Sequence, residues 1–438
     1  MLKRIAVRGY KSLRDLDVEL RPLSVLFGPN AAGKSNFLDV LQLLSRIATA
    51  RNLKEAFGTP HRGEPLESFS FGKEGIKGLL TQRSASFTIE ADMELSPAVA
   101  RAVDRQIREM RTRKLEPEEN APPHGDPDER KVLTWPYLRY RITVEIIPKK
   151  GFLRVIDEYL SALRKDGEPT KSPMPFIEKV EGKLHLRMEG QAHPRYYDTG
   201  IDHSLLSLPL YPPHYPHVTA LKKELESWLF FYFEPRVRMR AANPVKEVRH
   251  IGAMGEQLAA YLHTLRATDE AQFRSIEKAL KMIVPSITGI IVEPNDLGEV
   301  ELKLLEEQTP IPARVVSEGT LRILGLLASK CVNQPPALIG LEEPENGVHP
   351  RRIGMIAELL ESRESEGDTQ MIVTTHSPIL PDKLRDDSLY VCRKECGGTQ
   401  ISPFRTWGPL GRTEDIQEAL DEDRRPVSQR IVRGDFDA

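Results

Sequence analysis

An α/β fold interrupted by an inserted α+β region is the architecture this sequence predicts, and three observations carry it. Residues 28–35 read Gly-Pro-Asn-Ala-Ala-Gly-Lys-Ser, a GxxxxGK[ST] pattern between the apolar run Ser24–Phe27 and a helical repeat of Phe37, Leu41, Leu44 and Ala48. Ala337–Glu345 is an apolar run that ends in the adjacent carboxylates Glu342 and Glu343. Met371–Pro378 is a second apolar run, and it ends on His376. Strands of this kind deliver their terminal side chains to the edge of an open α/β sheet, where such folds bind ligands.

The composition is compatible with that reading. A chain of 438 residues has room for about three domains of roughly 150 residues, or for one large α/β domain with an insertion. Its apolar fraction of 39% and charged fraction of 29% are ordinary for a globular protein and exclude wholesale disorder. A net charge of -2 excludes a global attraction to nucleic acid, so DNA contact would need a local basic patch. Met1–Ile5 leads directly into an alternating strand without an apolar leader, and Trp228–Phe233 is too short to cross a bilayer. The chain therefore reads as cytoplasmic, with no membrane partner. Cys331, Cys392 and Cys396 lack the further ligands of a metal site and read as reduced, unpaired cysteines.

Along the chain, Ile5 and Val7 alternate in one strand and Leu16, Val18 and Leu20 in the next, an antiparallel pair feeding Ser24–Phe27. Residues 51–82 are rich in Gly, Pro and Ser, and Ser86–Glu94 resumes strand alternation. Arg101, Arg105, Arg108, Arg111 and Arg113 lie on a charged helix that runs into the Pro- and acid-rich loop Glu116–Asp128, the clearest insertion boundary. Strands are predicted at Tyr137–Ile147, Phe152–Tyr159 and Lys183–Met188. Pro209, Pro212, Pro213 and Pro216 predict a linker without helix or central strand. Helices come next at 220–229, 254–266 and 269–283, then strands at Ile287–Val292 and Val300–Leu305. Residues 1–95 and 226–394 thus form the two halves of the α/β core, 96–225 the insertion, and 395–438 a C-terminal strand with a charged tail.

The chemistry of the motifs is specific. Backbone N–H groups of Asn30, Ala31, Ala32 and Gly33 would cradle phosphate oxygens, Lys34 would reach the β- and γ-phosphates, and the Ser35 hydroxyl would join a Mg²⁺ shell. Glu342 would hold the Mg²⁺ and Glu343 would polarise the attacking water. Val316–Thr320 opens an apolar helix, where Ser317 and Gly319 present a hydroxyl and free N–H groups to an anion; an ordinary N-cap has the same appearance. His376, at a strand end, is a candidate sensor of the γ-phosphate, although a solitary histidine there can be purely structural.

Taken together, GPNAAGKS, SEGT, LIGLEEPENGVHP and TTHSP resemble the ABC-type ATPase heads of the SMC, RecF and OLD group, especially the small AAA-type OLD-like or RecF-like proteins. The resemblance spans residues 1–95 and 226–394. It implies a P-loop NTPase of ABC/SMC-head type, with a mixed central sheet and an antiparallel β-lobe. It also implies that Ser317–Thr320 is the signature segment, Glu342 and Glu343 the Walker B pair, Asn346–His349 the D-loop and His376 the switch histidine. Glu342 stands where the group usually has Asp, and Gln82 is the candidate Q-loop glutamine. Because a strand pair at Leu389–Cys392 and Thr399–Phe404 takes up most of the chain beyond His376, the form implied is one without a Toprim nuclease domain.

In such heads ATP joins two subunits, so the resemblance implies a homodimer or higher even assembly bound to ATP and Mg²⁺. Its implied role is ATP hydrolysis in DNA maintenance or anti-phage defence. The alternative is an ATP-switched scaffold that holds and releases a separate nuclease or toxin effector. A transporter ATPase is disfavoured because SEGT replaces the LSGGQ-type signature. Arg101–Arg113 and Arg236, Arg238 and Arg240 are the local basic features that could track DNA, the latter three read as an alternating strand edge. His203, His214 and His217 lack Cys or carboxylate partners at metal-ligand spacing.

Overall fold

The computed structural model describes residues 1–112, 132–191, 193–329, 335–366, 369–407 and 426–436. Arg113, the loop Glu116–Asp128, Cys331, the tail segment Asp421–Arg425 and Asp437 lie outside the described residues. In chain order the first elements are β1 (Leu2–Tyr10), β2 (Leu13–Glu19), β3 (Leu23–Phe27), α1 (Lys34–Thr49), α2 (Leu53–Ala56), α3 (Gly75–Thr81), β4 (Ala85–Glu94) and α4 (Pro97–Thr112). Then come β5 (Tyr137–Ile147), β6 (Phe152–Ala162), β7 (Ile177–Val180), β8 (Lys183–Leu186), β9 (Arg195–Asp198), α5 (Pro216–Glu226), β10 (Leu229–Phe231) and β11 (Asn243–Pro244). These are followed by α6 (Leu258–Thr268), α7 (Glu270–Ile283), β12 (Ile287–Pro294), β13 (Glu299–Glu306), β14 (Thr309–Pro312), α8 (Glu318–Ser329) and β15 (Leu338–Glu342). The last are α9 (Ile353–Glu366), β16 (Gln370–Thr375), β17 (Leu389–Glu395), β18 (Gly398–Pro403) and α10 (Val427–Arg433).

Contacts divide the chain into two compact units: Met1–Leu20, Asp39–Trp228 and Glu395–Gln400 form the first, and Arg21–Leu38, Leu229–Lys394 and Ile401–Ala438 the second. An antiparallel sheet ordered β2-β1-β4-β5-β6-β7-β8-β9 organises the first unit. Its alternation has a direct cause in the side chains. In β5, Leu138, Tyr140, Ile142, Val144 and Ile146 are buried on one face, while Arg139 on the other grips Asp92 through two bonds of 2.6 and 2.7 Å. Arg4 bridges Asp17 on β2 and Glu90 on β4 in the same way.

The proline run does not break the chain as expected. Pro212–His214 is a single 3-10 turn and Pro216 is the first residue of α5. Proline suits that position because the first N–H groups of a helix have no intrahelical acceptor.

Near the start of this unit His61 is buried, with Nε2 2.8 Å from Ser68 Oγ. Burial, followed by the nearby Lys11 charge, lowers its pKa to about 4. The unfolded chain binds this proton below pH ~6.5, whereas the folded chain resists it, so stability falls as the pH drops from ~6.5 toward 4. His61→Gln is expected to flatten that part of a plot of urea midpoint against pH; an unchanged slope would show that other groups set it.

In the second unit, β10, β15, β16, β3 and β17 lie parallel, with β18 at the edge. β15 and β16 read as continuous apolar runs, as strands covered on both faces must, and Leu338, Ile339, Leu341, Ile372 and Val373 are all buried. A smaller antiparallel sheet joins β11, β13 and β12, with β14 on β13. The expected strand edge at Arg236–Arg240 is instead a turn ending in a 3-10 helix at Arg238–Arg240. Glu234 explains the difference: its carboxylate accepts the N–H groups of Arg236, Val237 and Arg238, each at 3.0 Å, which curls the backbone out of any strand.

Candidate functional site

β3 ends at Phe27, and the chain turns immediately through Gly28 at φ +147°. A Cβ at Gly28 would stand 1.9 Å from the Cys392 carbonyl oxygen on β17, so only glycine fits the turn. Ala31 and Gly33 also take left-handed conformations, at φ +62° and +105°. Turns of this kind gather successive N–H groups into an anion-binding concavity, and here one opens directly onto the N-terminus of α1. Asn30 and Ala31 form its exposed lip, Ala32 is buried, and Gly33 and Ser35 are half-buried.

Lys34 is 3% exposed. Its ammonium donates to the carbonyls of Gly28 at 2.7 Å and Pro29 at 2.8 Å, so it folds back along the loop. Burial brings its pKa down to about 8, opposed by the proximity of Cys392 and Glu343. A desolvated ammonium in this position gains from an incoming phosphate the counter-charge it lacks.

The strand register aligns the other groups. Glu342, the last residue of β15, lies opposite Thr374 on β16, and Thr375 lies opposite Phe27 on β3. Three adjacent strands therefore end side by side beneath the loop. Ser35 Oγ donates to Glu342 Oε1 at 2.5 Å. The longer side chain of Glu342 thus reaches the α1 hydroxyl, and two hard oxygen donors converge, the protein contribution that Mg²⁺ accepts while keeping several waters. Among the described residues no group of three His, Cys, Asp or Glu is placed to hold a metal, and a Mg²⁺ site of this kind needs none.

Glu343 sits at φ +48°, unusual for a residue with a side chain, and its N–H donates to Thr374 O at 2.9 Å. The strained turn aims its carboxylate at His376, whose Nε2 is 3.1 Å from Glu343 Oε1; Asn346 Nδ2 donates to the other oxygen at 3.4 Å. Burial, then the Lys34 charge, lowers the pKa of His376. A neutral imidazole donating from Nε2 to Glu343 fits both facts.

Ser317 caps α8, accepting Thr320 N–H at 3.2 Å with Thr320 Oγ1 at 2.8 Å, while remaining exposed. A Cβ at Gly319 would lie 2.3 Å from the carbonyl oxygen of Gly347, so the helix start packs against the turn after β15. Arg240 braces the approach to α8, donating to Arg314 O at 2.7 Å and Val316 O at 2.8 Å, and Arg236 pairs with Glu318 at 2.8 Å.

Ser35 is thus bonded to Glu342 and Glu343 to His376, with Lys34 folded along its own loop, whereas Gly319 packs against the Gly347 turn and Ser317 caps α8. Gln82 closes α3 as its C-cap. His217 uses both ring nitrogens locally, Nδ1 2.6 Å from Glu189 and Nε2 accepting Trp135 N–H at 3.1 Å. Glu345 and Thr375 are supporting residues that the motifs do not single out, and Arg240, expected as a basic feature on a strand edge, instead braces the approach to α8. The third carboxylate of the Glu-Glu-Pro-Glu run was the available signal for Glu345; nothing local marked the contacts that Thr375 and Arg240 make.

Among known proteins, the chain is 21% identical over 406 residues to the OLD nuclease of Thermus scotoductus, an alignment covering 90% of this chain and 62% of that protein. It therefore spans less than two thirds of that relative's length. Solved structures similar to it include the SMC head domain from Thermotoga maritima, at a TM-score of 0.39 and 13% identity over 92% of this chain and 98% of that one. Another is an Smc head domain bound to the C-terminal domain of ScpA derived from Pyrococcus furiosus, at 0.45 and 11% over 97% and 99%. The family described as "AAA domain, putative AbiEii toxin, Type IV TA system" matches residues 23–117 and 230–382, more than half of the sequence, and the chain belongs to that family.

Proposed function

We propose that this protein binds and hydrolyses ATP, closing as a dimer around two ATP molecules in DNA maintenance or anti-phage defence. The observation that carries the reading is the Ser35–Glu342 hydrogen bond at the mouth of the phosphate loop, with Glu343 and His376 paired beside it. In this mechanism loop N–H groups and Lys34 hold the β- and γ-phosphates. Ser35 and Glu342 would hold Mg²⁺, which supplies charge neutralisation on the transferring phosphoryl group. Glu343 orients a water and accepts its proton as the water oxygen bonds to the γ-phosphorus. The bond from that phosphorus to the bridging oxygen breaks, and ADP leaves with the electron pair. His376 donates from Nε2, holding Glu343 in place before attack. Ser317 and Gly319 of the second subunit complete the pocket by offering the α8 N-terminus to the γ-phosphate.

Phosphate release from ATP and Mg²⁺ is the direct test. Lys34→Met is expected to reduce it to background and to weaken ATP binding by at least about tenfold, since a charge-assisted hydrogen bond contributes roughly 1.5–3 kcal/mol. Full activity in that variant would remove the phosphate loop from the reaction.

A second reading, the ATP-switched scaffold for a separate nuclease or toxin, is favoured by the engagement of several basic side chains. Arg108 pairs with Asp104, Arg236 with Glu318, and Arg240 with backbone carbonyls. Duplex DNA that stimulates turnover and binds with a steep salt dependence supports the DNA role; failure of both supports the scaffold.

A further inference from the structure

Glu345 lies two residues beyond Glu343 and is 6% exposed. Thr375, immediately before His376, is fully buried. The Thr375 hydroxyl donates to Glu345 Oε1 at 2.5 Å and accepts the N–H of Ser377, immediately after His376, at 2.9 Å. Ser377 Oγ in turn accepts Ile379 N–H at 3.2 Å. The hydroxyl therefore straddles His376, joining the residue on either side of it, and the buried carboxylate fixes the direction in which that hydroxyl points. On the other side the Glu345 carbonyl accepts Val348 N–H at 2.9 Å, so the same residue also anchors the turn that carries Asn346 and Gly347.

A histidine whose Nε2 must sit 3.1 Å from Glu343 needs its backbone held against both translation and rotation. β16 supplies the first through its pairing with β3. The second calls for an anchor beyond the strand end, and the Thr375 hydroxyl supplies one by accepting Ser377 N–H.

We propose that Glu345 is a positioning residue for His376, acting through Thr375: the Glu345–Thr375–Ser377 relay locks the backbone on both sides of the histidine and keeps its imidazole on Glu343. The inference rests on the ATPase reading for its catalytic consequence, but the geometry it asserts exists without ATP. Glu345→Gln keeps a carbonyl oxygen for the Thr375 hydroxyl, and Thr375→Ser keeps the hydroxyl; Glu345→Ala and Thr375→Val remove one partner each.

Two measurements on the full chain test it. In steady-state hydrolysis, Thr375→Val and Glu345→Ala are expected to lower kcat by about tenfold to a hundredfold, the range seen when a reacting group is displaced by ~1 Å, with KM for ATP unchanged. Thr375→Ser and Glu345→Gln are expected to retain most of kcat. Combined with His376→Ala, Thr375→Val should add no further loss, because its effect passes through the missing imidazole; an additive loss overturns the proposal.

The second measurement needs no turnover. In protein carrying ¹³C-labelled histidine, the His376 resonance, identified by its disappearance in His376→Ala, should move in Thr375→Val and return in Thr375→Ser. Glu345→Ala serves the same comparison if the valine variant does not fold. A His376 signal that ignores these substitutions sinks the relay. Absence of hydrolysis in the wild type alongside a displaced resonance would instead reject the ATPase reading and leave the relay standing.

Discussion

Replacing Glu343 with glutamine is expected to slow ATP turnover by about a hundredfold to ten-thousandfold, the contribution of a positioned general base, while ATP still binds. Glutamine preserves the size and the carbonyl acceptor that faces His376 Nε2 at 3.1 Å. It removes the basic oxygen that would take the proton of water. If the second subunit's α8 completes the pocket, ATP that cannot be cleaved should hold two subunits together. The measurement is phosphate release beside size-exclusion chromatography with ATP and Mg²⁺. A variant that hydrolyses normally would displace Glu343 from its role; one that is inactive and stays monomeric would reject the composite pocket.

Gly28→Ala should be the most damaging single methyl in the phosphate loop. The added Cβ would meet the Cys392 carbonyl oxygen at 1.9 Å, and the backbone stands at φ +147°, which side chains rarely adopt. Neither neighbour can move aside cheaply, because Val391 pairs with Phe27 in the parallel ladder. Strain and overpacking of this kind cost about 3 kcal/mol or more, out of a total stability of roughly 5–15 kcal/mol. Gly354→Ala is the control, since nothing lies within 4 Å of the added methyl near the start of α9. Urea midpoints should separate the two clearly; equal midpoints would mean that the loop is not packed against β17 as described.

Much of the parallel core was legible because its signals are local. Apolar runs such as Ile339–Leu341 and Met371–Val373 have few alternatives to a covered strand, and Gly28–Ser35 writes the strand, turn and helix in a single stretch. Misread segments were those in which one side chain redirected the backbone. Glu234 curls Arg236–Arg240 by accepting three consecutive N–H groups, and Pro216 starts a helix that a run of prolines was expected to prevent. Neither effect has a periodicity to detect.

The candidate site divides in the same way. Lys34, Ser35, Glu342, Glu343 and His376 each stand at the end of a recognisable element, and it is the proposed chemistry of phosphate, metal and water that singles out these residue types there. Their mutual distances were not readable, because Ser35 and Glu342 are 307 positions apart and meet only through the order in which β15, β16 and β3 pair. The supporting contacts lay further from view. Glu345 under Thr375, Arg240 beneath the start of α8, and Cys392 against Gly28 each join segments remote in sequence. What the sequence by itself determined was therefore which residue types stand at which strand ends, because these depend on side-chain type and local pattern. Which oxygen meets which, how Glu343 is strained toward His376, and what holds that histidine were decided by the tertiary structure alone, since hydrogen bonds across a sheet depend on register that no single stretch encodes.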